Sequence, residues 1–272
     1  ISLTAQDEIG VLGSGSDLDL EFAAGSSVNV STTGTGAIDL DGLGALTLSD
    51  VDTVNGAITA SSAGALTVTD VASGTNGNIV LSTSSGDITG LATVNAGSGN
   101  VTLNSAGAIV DDGSSGTVIT GGVLTADAAG AITIDSTVTS ANISTSAAGA
   151  VDLDETDAIT LTDVDTNDGS ITVDAGGLIT ATDVVASGGS GDSVTLSTTT
   201  GGAVATLVTG ADAVSITANA GDITIGSVTA TAGTLGVTAT AGSINDAADD
   251  NTADFTAGGL ITLTAQAEVG VL

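Results

Sequence analysis

The chain has 272 residues, 32 carboxylates and no Lys, Arg or His, which gives a net charge of −32 at pH 7. Because phosphate binding depends on Lys and Arg, this composition excludes nucleic acid and anionic membrane surfaces as natural partners. The chain also lacks Cys, which excludes disulfides and thiol metal sites, and no apolar run is long enough to insert in a membrane.

A five-residue phrase recurs along the chain: Gly, any residue, an aliphatic residue, Thr, and a second aliphatic residue or Ala. It occupies residues 44–48, 56–60, 64–68, 99–103, 130–134, 169–173 and 221–225. Aliphatic residues alternate with Thr, so Ile58 and Ala60 are expected on one side of the chain and Thr59 on the other. This alternation predicts half-buried β-strands, and no segment shows a helical period.

The spacing of the phrases predicts a stacked fold. Gly recurs at 36, 44, 56, 64, 77, 86, 99 and 107, so short and long steps alternate. One short and one long step together span roughly 20–22 residues, which suits one coil of a solenoid. The longer step holds a further short strand, for example at 50–54, and Gly, Ser and Asn turns join the strands.

We therefore predict an all-β fold over 1–272: a single-stranded parallel β-helix, or β-solenoid, expected to be right-handed. It would have about 12 coils of roughly 20–22 residues, with three short strands per coil.

Larger repeats are also present. Residues 1–12 return at 261–272 with 9 of 12 positions identical, an offset of 260, and residues 36–41 return at 149–154, an offset of 113. Both ends have ordinary coil sequence, whereas solenoids normally carry caps. These features predict one continuous uncapped segment of a longer array with a repeat of about 260 residues. At roughly 4.8 Å per coil, each repeat would be about 60 Å long.

The carboxylates raise a question of charge. Neighbouring coils lie well within a Debye length of about 8 Å, so aligned Asp residues would repel each other. Two alternatives follow: the Asp residues are staggered among the coils, or bound cations offset the repulsion.

The strongest candidate for a cation site is the segment 163–169, where acidic and amide oxygens alternate before a Gly turn. Its ligands would be Asp163, Asp165, Asn167 and Asp168, which suit the hard cation Ca²⁺. Asp168 stands where an EF-hand loop has Gly. The alternative is a solvated acidic corner. Residues 188–194 approach the calcium β-roll nonapeptide once, but Asp192 is one place early.

The side chains available for catalysis are carboxylates, hydroxyls and amides, and the chain offers no aromatic platform for a sugar. We therefore expect no enzyme and no required cofactor, with Ca²⁺ as the one candidate ion. Thr-x-Thr triplets, for example at 67–69 and 180–182, resemble the ice-binding face of antifreeze solenoids. The other interpretation of these triplets is outward β-branched residues that favour strands.

The phrases Gly-Ala-Ile-Thr-Ile and Gly-Ser-Ile-Thr-Val, in coils of about 20 residues, resemble the repeats of filamentous-haemagglutinin-like adhesins and related giant bacterial surface proteins. The resemblance implies a right-handed β-helix on the cell surface that serves as a long stalk or fibre. We therefore expect an extracellular structural block that contacts neighbouring copies end to end, other fibres or cell surfaces. The alternatives are a calcium-binding surface, a surface-layer module and an ice-binding solenoid.

Overall fold

The computed structural model describes residues 1–10, 17–21, 23, 25–114, 116, 118–248, 250 and 252–271. These residues form β-strands and no helix, and the strand pairings are parallel. The predicted fold class is confirmed, because the chain is an all-β parallel β-solenoid of about 12 turns. It divides into two compact units, Ile1–Val138 and Thr139–Leu272.

Most strands are three to five residues long, as the phrases predict. In the first unit they are β1 (Ser2–Ala5), β2 (Leu18–Leu20), β3 (Val28–Thr32), β4 (Ile38–Gly42), β5 (Leu46–Thr53), β6 (Ile58–Ser62), β7 (Leu66–Val68), β8 (Asp70–Ala72), β9 (Ile79–Thr83), β10 (Ile88–Leu91), β11 (Thr93–Asn95), β12 (Val101–Ser105), β13 (Ile109–Asp111) and β14 (Ile119–Ala128).

Strand β15 (Ile132–Ala148) runs across the division between the units. The second unit continues with β16 (Val151–Glu155), β17 (Ile159–Asp168), β18 (Ile171–Ala175), β19 (Ile179–Ala181), β20 (Val184–Ala186), β21 (Val194–Thr198), β22 (Ala203–Gly210), β23 (Val214–Ala218), β24 (Ile223–Ala230), β25 (Leu235–Ala239), β26 (Ile244–Asp246), β27 (Phe255–Ala257), β28 (Ile261–Ala265) and β29 (Val269–Val271).

Within the first unit the strands stack in three parallel ladders. The first ladder contains Val30, Val51, Val71 and Val94, the second contains Ile38, Ile58, Ile79, Val101 and Leu124, and the third contains Leu46, Leu66, Ile88, Ile109 and Ile132. Each step along the second ladder is one coil of roughly 20–23 residues, in agreement with the length predicted from the phrases.

The second unit has three ladders of the same kind. They contain Ile143, Val164, Val184, Val208 and Val228 in the first, Val151, Ile171, Val194, Val214 and Leu235 in the second, and Ile159, Ile179, Ala203, Ile223 and Ile244 in the third. The last coil is longer, since the partner of Leu235 is Ile261.

The core lies inside the coils and is made of the inward aliphatic residues. Ile58 and Ala60 are fully buried, while Thr59 between them is half-buried on the outer side, as the alternation predicts. Stacking places apolar side chains above one another in successive coils, and strands inside the stack hydrogen-bond to the strands above and below them. Burial of aliphatic surface, at about 25 cal/mol per Å², is the main stabilising contribution.

Hydroxyl groups also occur inside the coils, at the ends of strands. Thr53 is buried and donates to the carbonyl oxygen of Gly56 at 3.0 Å. Thr32 donates in the same way to Gly36 at 3.0 Å. In the second unit Thr145 donates to the carbonyl oxygen of Gly149 at 3.0 Å. These bonds satisfy carbonyl groups at corners, where the strand ladder does not continue.

The sequence repeats differ in how they are placed. The copies at 36–41 and 149–154 take equivalent positions, since Ile38 and Val151 both begin strands of their second ladders. The copies at 1–12 and 261–272 do not: β1 pairs with β3 in a first ladder, whereas β28 pairs with β25 in a second ladder. The 260-residue array unit stays a prediction.

Candidate functional site

Three Asp residues meet on the outer side of the first unit. Asp50 and Asp52 project from β5, and Asp70 begins β8 in the next coil, where Val51 pairs with Val71. Burial raises the pKa of Asp52 to about 6, and a hydrogen bond with Asp50 and repulsion from Asp50 and Asp70 act in the same direction. Burial, and then repulsion from Asp50, also raise the pKa of Asp70.

The same arrangement occurs in the second unit, at the offset of 113 that relates the sequence copies. Asp163 and Asp165 project from β17, and Asp183 directly precedes β20, where Val164 pairs with Val184. Partial burial raises the pKa of Asp165 to about 6, followed by repulsion from Asp163 and Asp183 and a hydrogen bond with Asp163. The Oδ1 atom of Asp183 is buried without a hydrogen-bond partner among the described residues.

The strand register shows where carboxylates of neighbouring coils are aligned. Asp50 and Asp70 lie in neighbouring coils, and the residues that follow them, Val51 and Val71, pair with each other. In the second unit Asp154 pairs directly with Asp174. At these positions the Asp residues are aligned and not staggered.

The structure brings together only part of the predicted calcium ligand set. Asp163 and Asp165 share the outer side of β17 with the neighbouring Asp183, whereas Asn167 and Asp168 are exposed at the far end of the same strand. An extended strand places Asp168 roughly 16 Å from Asp163, so the segment does not curl as an EF-hand loop does. Calcium binding by Asp163, Asp165, Asn167 and Asp168 stays a prediction.

A further acidic cluster, which the sequence did not reveal, lies at the start of the chain. Oxygen atoms of Asp17, Asp19 and Asp41 all lie within 4.8 Å of one another. Asp19 pairs with Asp41 between β2 and β4, and Asp41 also accepts a hydrogen bond from the hydroxyl of Ser61 in the following coil. Asp39 lies two residues before Asp41 on β4, and burial, then repulsion from Asp17 and Asp41, raise its pKa.

An insertion before β2 explains why the sequence did not reveal this cluster. Ile9 bridges to Ile38 and Leu18 pairs with Leu40, so the eight residues 10–17 stand opposite the single residue Asp39. The available signal was the pair of Asp-Leu-Asp sequences at 17–19 and 39–41. Their alignment depends on this insertion, and residues 11–16 lie outside the described part of the chain.

Asp192, in the segment 188–194 that approaches the calcium β-roll nonapeptide, has a structural role. Asp192 is buried, and its Oδ2 atom accepts a hydrogen bond from the N–H of Gly189 at 2.7 Å. Asp192 also aligns with the next coil, because its carbonyl oxygen accepts the N–H of Asp212 at 2.9 Å. This Asp therefore stabilises its own turn.

The chemistry of these sites is that of clustered carboxylates. With no Lys, Arg or His in the chain, the clusters have no cationic side chain to pair with. Because the pKa values of Asp52 and Asp165 are raised to about 6, these groups take up protons as the pH falls towards 6, while at neutral pH they are mainly ionised and attract cations from solvent. In the described part of the chain there is no helix long and apolar enough to span a membrane.

Comparison with known proteins gives no relative. A scan of protein-family models, a search of curated proteins and a search of solved structures each returned no match. The fold is a β-solenoid. The resemblance to the filamentous-haemagglutinin-like adhesins rests on the repeat phrases alone.

Proposed function

We propose that this chain is a structural building block of an extracellular fibre or adhesin stalk, repeated in a long array. The observation that carries the proposal is the register of the ladders. In the first unit Ile38, Ile58 and Ile79 stack in direct register, each fully buried, and the same kind of stack recurs in the second unit with Val151 and Ile171.

Such stacking is suited to a protein whose role is to form a long rod. Each coil forms with its neighbour the contacts that this neighbour forms with the next one, so coils can be added without a change of interface. The cost in side-chain entropy is small, because the stacked residues are mainly Ile, Val and Ala. The Gly of each phrase lies at a corner, and the Thr lies on the outer side of the strand. The acidic groups give the rod a high net charge, which keeps it in solution.

The last coil suggests how copies would meet. Ile261 in β28 is 40% exposed, whereas its ladder partner Leu235 is 1% exposed because another strand covers it. A further coil stacked on β28, from the same chain or from a second copy, would bury Ile261 and pair the outer edge of the strand. End-to-end contact between copies is therefore part of the proposal.

The test compares one copy of residues 1–260 with two and three tandem copies. Small-angle scattering and electron microscopy should give rods that lengthen by about 60 Å per added copy, since coils are roughly 4.8 Å apart. A matched protein with Leu81→Asp in every copy introduces an unpaired charge into the buried second ladder and should lose this regular increment. Separate globules, or a compact particle whose longest dimension does not grow, would refute the proposal.

A further inference from the structure

The repeated sequence at 1–12 and 261–272 has the same local conformation in both copies wherever the structure describes both. Each copy begins with a strand, β1 or β28, then turns a corner and places an aliphatic residue on the next side of the coil. The glycine that follows has a positive φ in each copy, 73° at Gly10 and 81° at Gly270. The two segments are therefore the same structural piece as well as the same sequence.

The two segments are paired along different edges. Among the described residues β1 pairs with the strand that follows it, β3, whereas β28 pairs with the strand that precedes it, β25. Leu3 is only half-buried, although its partner Val30 is 1% exposed. Leu263 is likewise half-buried against Val237, which is 0% exposed. The same inward side of the segment is thus covered from one edge in each copy, and the covered edges are complementary.

The backbone groups complement each other in the same way. The carbonyl oxygen of Ala5 faces β3, where it accepts the N–H of Thr33 at 2.9 Å. In the other copy the N–H of Gln266 faces β25 and donates to the carbonyl oxygen of Ala239 at 3.1 Å. Because Ala265 and Gln266 share a trans peptide bond, the carbonyl oxygen of Ala265 points away from β25. It is directed as that of Ala5 is, towards the position of a following coil.

The corner of the segment also fits a following coil. A Cβ on Gly36 would overlap the carbonyl group of Asp7, so the next coil approaches this corner closely. Ala267 stands in place of Asp7 in the second copy of the segment. The close approach involves the backbone of Asp7 and not its side chain, so this substitution leaves the fit unchanged.

We propose that residues 261–270 of one copy take the place of residues 1–10 in the next copy, so that β28 pairs with β25 of its own copy and with β3 of the next. The inference rests on the proposed function, because it specifies how blocks of the fibre join. The pairs across the joint are Thr262 with Asn29, Leu263 with Val30, Thr264 with Ser31 and Ala265 with Thr32, as residues 2–5 pair in β1. Val269 then lies opposite Ile38 of the next copy, as Ile9 does here. The second ladder of one copy's second unit continues as the first ladder of the next copy's first unit.

The test uses the complete 272-residue chain extended by a second copy of residues 13–272, so that residues 261–272 stand where the second copy would have its own residues 1–12. The chain has no Cys, so two introduced Cys residues report a single contact. Thr264→Cys, combined with Ser31→Cys in the second copy, should form a disulfide on mild oxidation. Paired strands lie about 4.8 Å apart, within the roughly 4.4–6.8 Å between Cα atoms that a disulfide requires. Mass measurement after alkylation counts the thiols that are lost.

Three further pairs show whether the contact is specific. Thr238→Cys with Thr264→Cys joins residues that pair in the structure, and it sets the yield expected of a correct pair. Thr264→Cys with Asp52→Cys of the second copy should keep both thiols, because Asp52 lies one coil beyond Ser31. A disulfide with Asn29→Cys in preference to Ser31→Cys would mean a slip of two residues and would overturn the proposed register.

The length of the same extended chain separates this joint from the fibre proposal. Small-angle scattering should give a rod about 60 Å longer than that of the 272-residue chain. A longer rod without the disulfide between positions 264 and 31 would overturn the joint and leave the fibre proposal standing. A disulfide in a particle that does not lengthen would support the joint and overturn the fibre, and the absence of both would overturn both.

Thermal unfolding gives a readout that needs no cross-link. Val269 is 52% exposed, and in the joint it lies between the buried Ile244 of its own copy and the buried Ile38 of the next. Val269→Asp should therefore change the thermal midpoint of the 272-residue chain little. In the extended chain the same substitution places an unpaired charge in the core, and unfolding should begin several degrees lower. An equal effect in the two chains would contradict the joint.

Discussion

A Cβ atom on Gly56 would lie 2.1 Å from the carbonyl oxygen of Gly36 in the neighbouring coil. The contact recurs one coil further on, where a Cβ on Gly77 would lie 2.1 Å from the carbonyl oxygen of Gly56. Cβ atoms essentially never approach other heavy atoms within 3.0 Å, so these corners accept only a hydrogen atom. The recurrent Gly at the start of the phrase therefore serves close stacking between coils.

Replacement of Gly56 by Ala tests this contact. We expect Gly56→Ala to lower the free energy of unfolding by about 1–3 kcal/mol, because backbone in two coils must move apart. Urea unfolding followed by far-ultraviolet circular dichroism measures the change. Gly44→Ala is the control, since Gly44 also begins a phrase but a Cβ there would meet no heavy atom within 4 Å. If both variants lose the same stability, close stacking at the Gly56 corner is not the cause.

The buried hydroxyl of Thr53 provides a second prediction. Thr53 donates to the carbonyl oxygen of Gly56 at 3.0 Å and accepts its N–H at 2.5 Å. Thr53→Val keeps the shape but leaves both backbone groups without this partner, which should cost about 1–3 kcal/mol. Thr59→Val, on the outer side of β6, should change stability by less than about 0.5 kcal/mol. Equal effects in urea unfolding would show that the corner bond contributes nothing specific.

The fold was largely predictable from the sequence, because alternation within a phrase fixes which side of a strand is buried. Ile58, Thr59 and Ala60 follow it residue by residue. The corner hydroxyls were not predictable, since Thr53 and Thr59 have the same side chain and differ only in where the strand ends. Neither was the cluster around Asp41, because its partner Asp19 comes into register through the insertion at 10–17.

The acidic clusters predict how stability depends on pH. The pKa of both Asp52 and Asp165 is raised to about 6 in the folded chain, against about 3.9 for an unfolded Asp. The folded state therefore binds more protons than the unfolded state between these values, and its stability falls as pH rises from about 4 to about 6. In EDTA, the thermal midpoint should be higher near pH 4.5 than at pH 7.

The variant Asp52→Asn/Asp165→Asn should reduce this dependence. Each substitution removes a carboxyl group whose folded and unfolded pKa values differ, so the slope of the midpoint against pH should become shallower. Asp87→Asn/Asp222→Asn is the control for a general loss of two charges, and it should leave more of the slope in place. A wild-type midpoint that falls on acidification from pH 7 to about 4.5 would contradict the assignment.

The arrangement along β17 predicts which residues matter if the second unit binds calcium. Asp163, Asp165 and Asp183 meet on one outer side, while Asp168 lies roughly 16 Å from Asp163 along the strand. Asp165→Asn or Asp183→Asn should then reduce calcium binding, and Asp168→Asn should not. Each titration is compared with that of the wild type, so that the carboxylates of the first unit contribute equally to both. Loss on Asp168→Asn would instead favour the loop-like ligand set with Asn167, and would require β17 to bend when the ion binds.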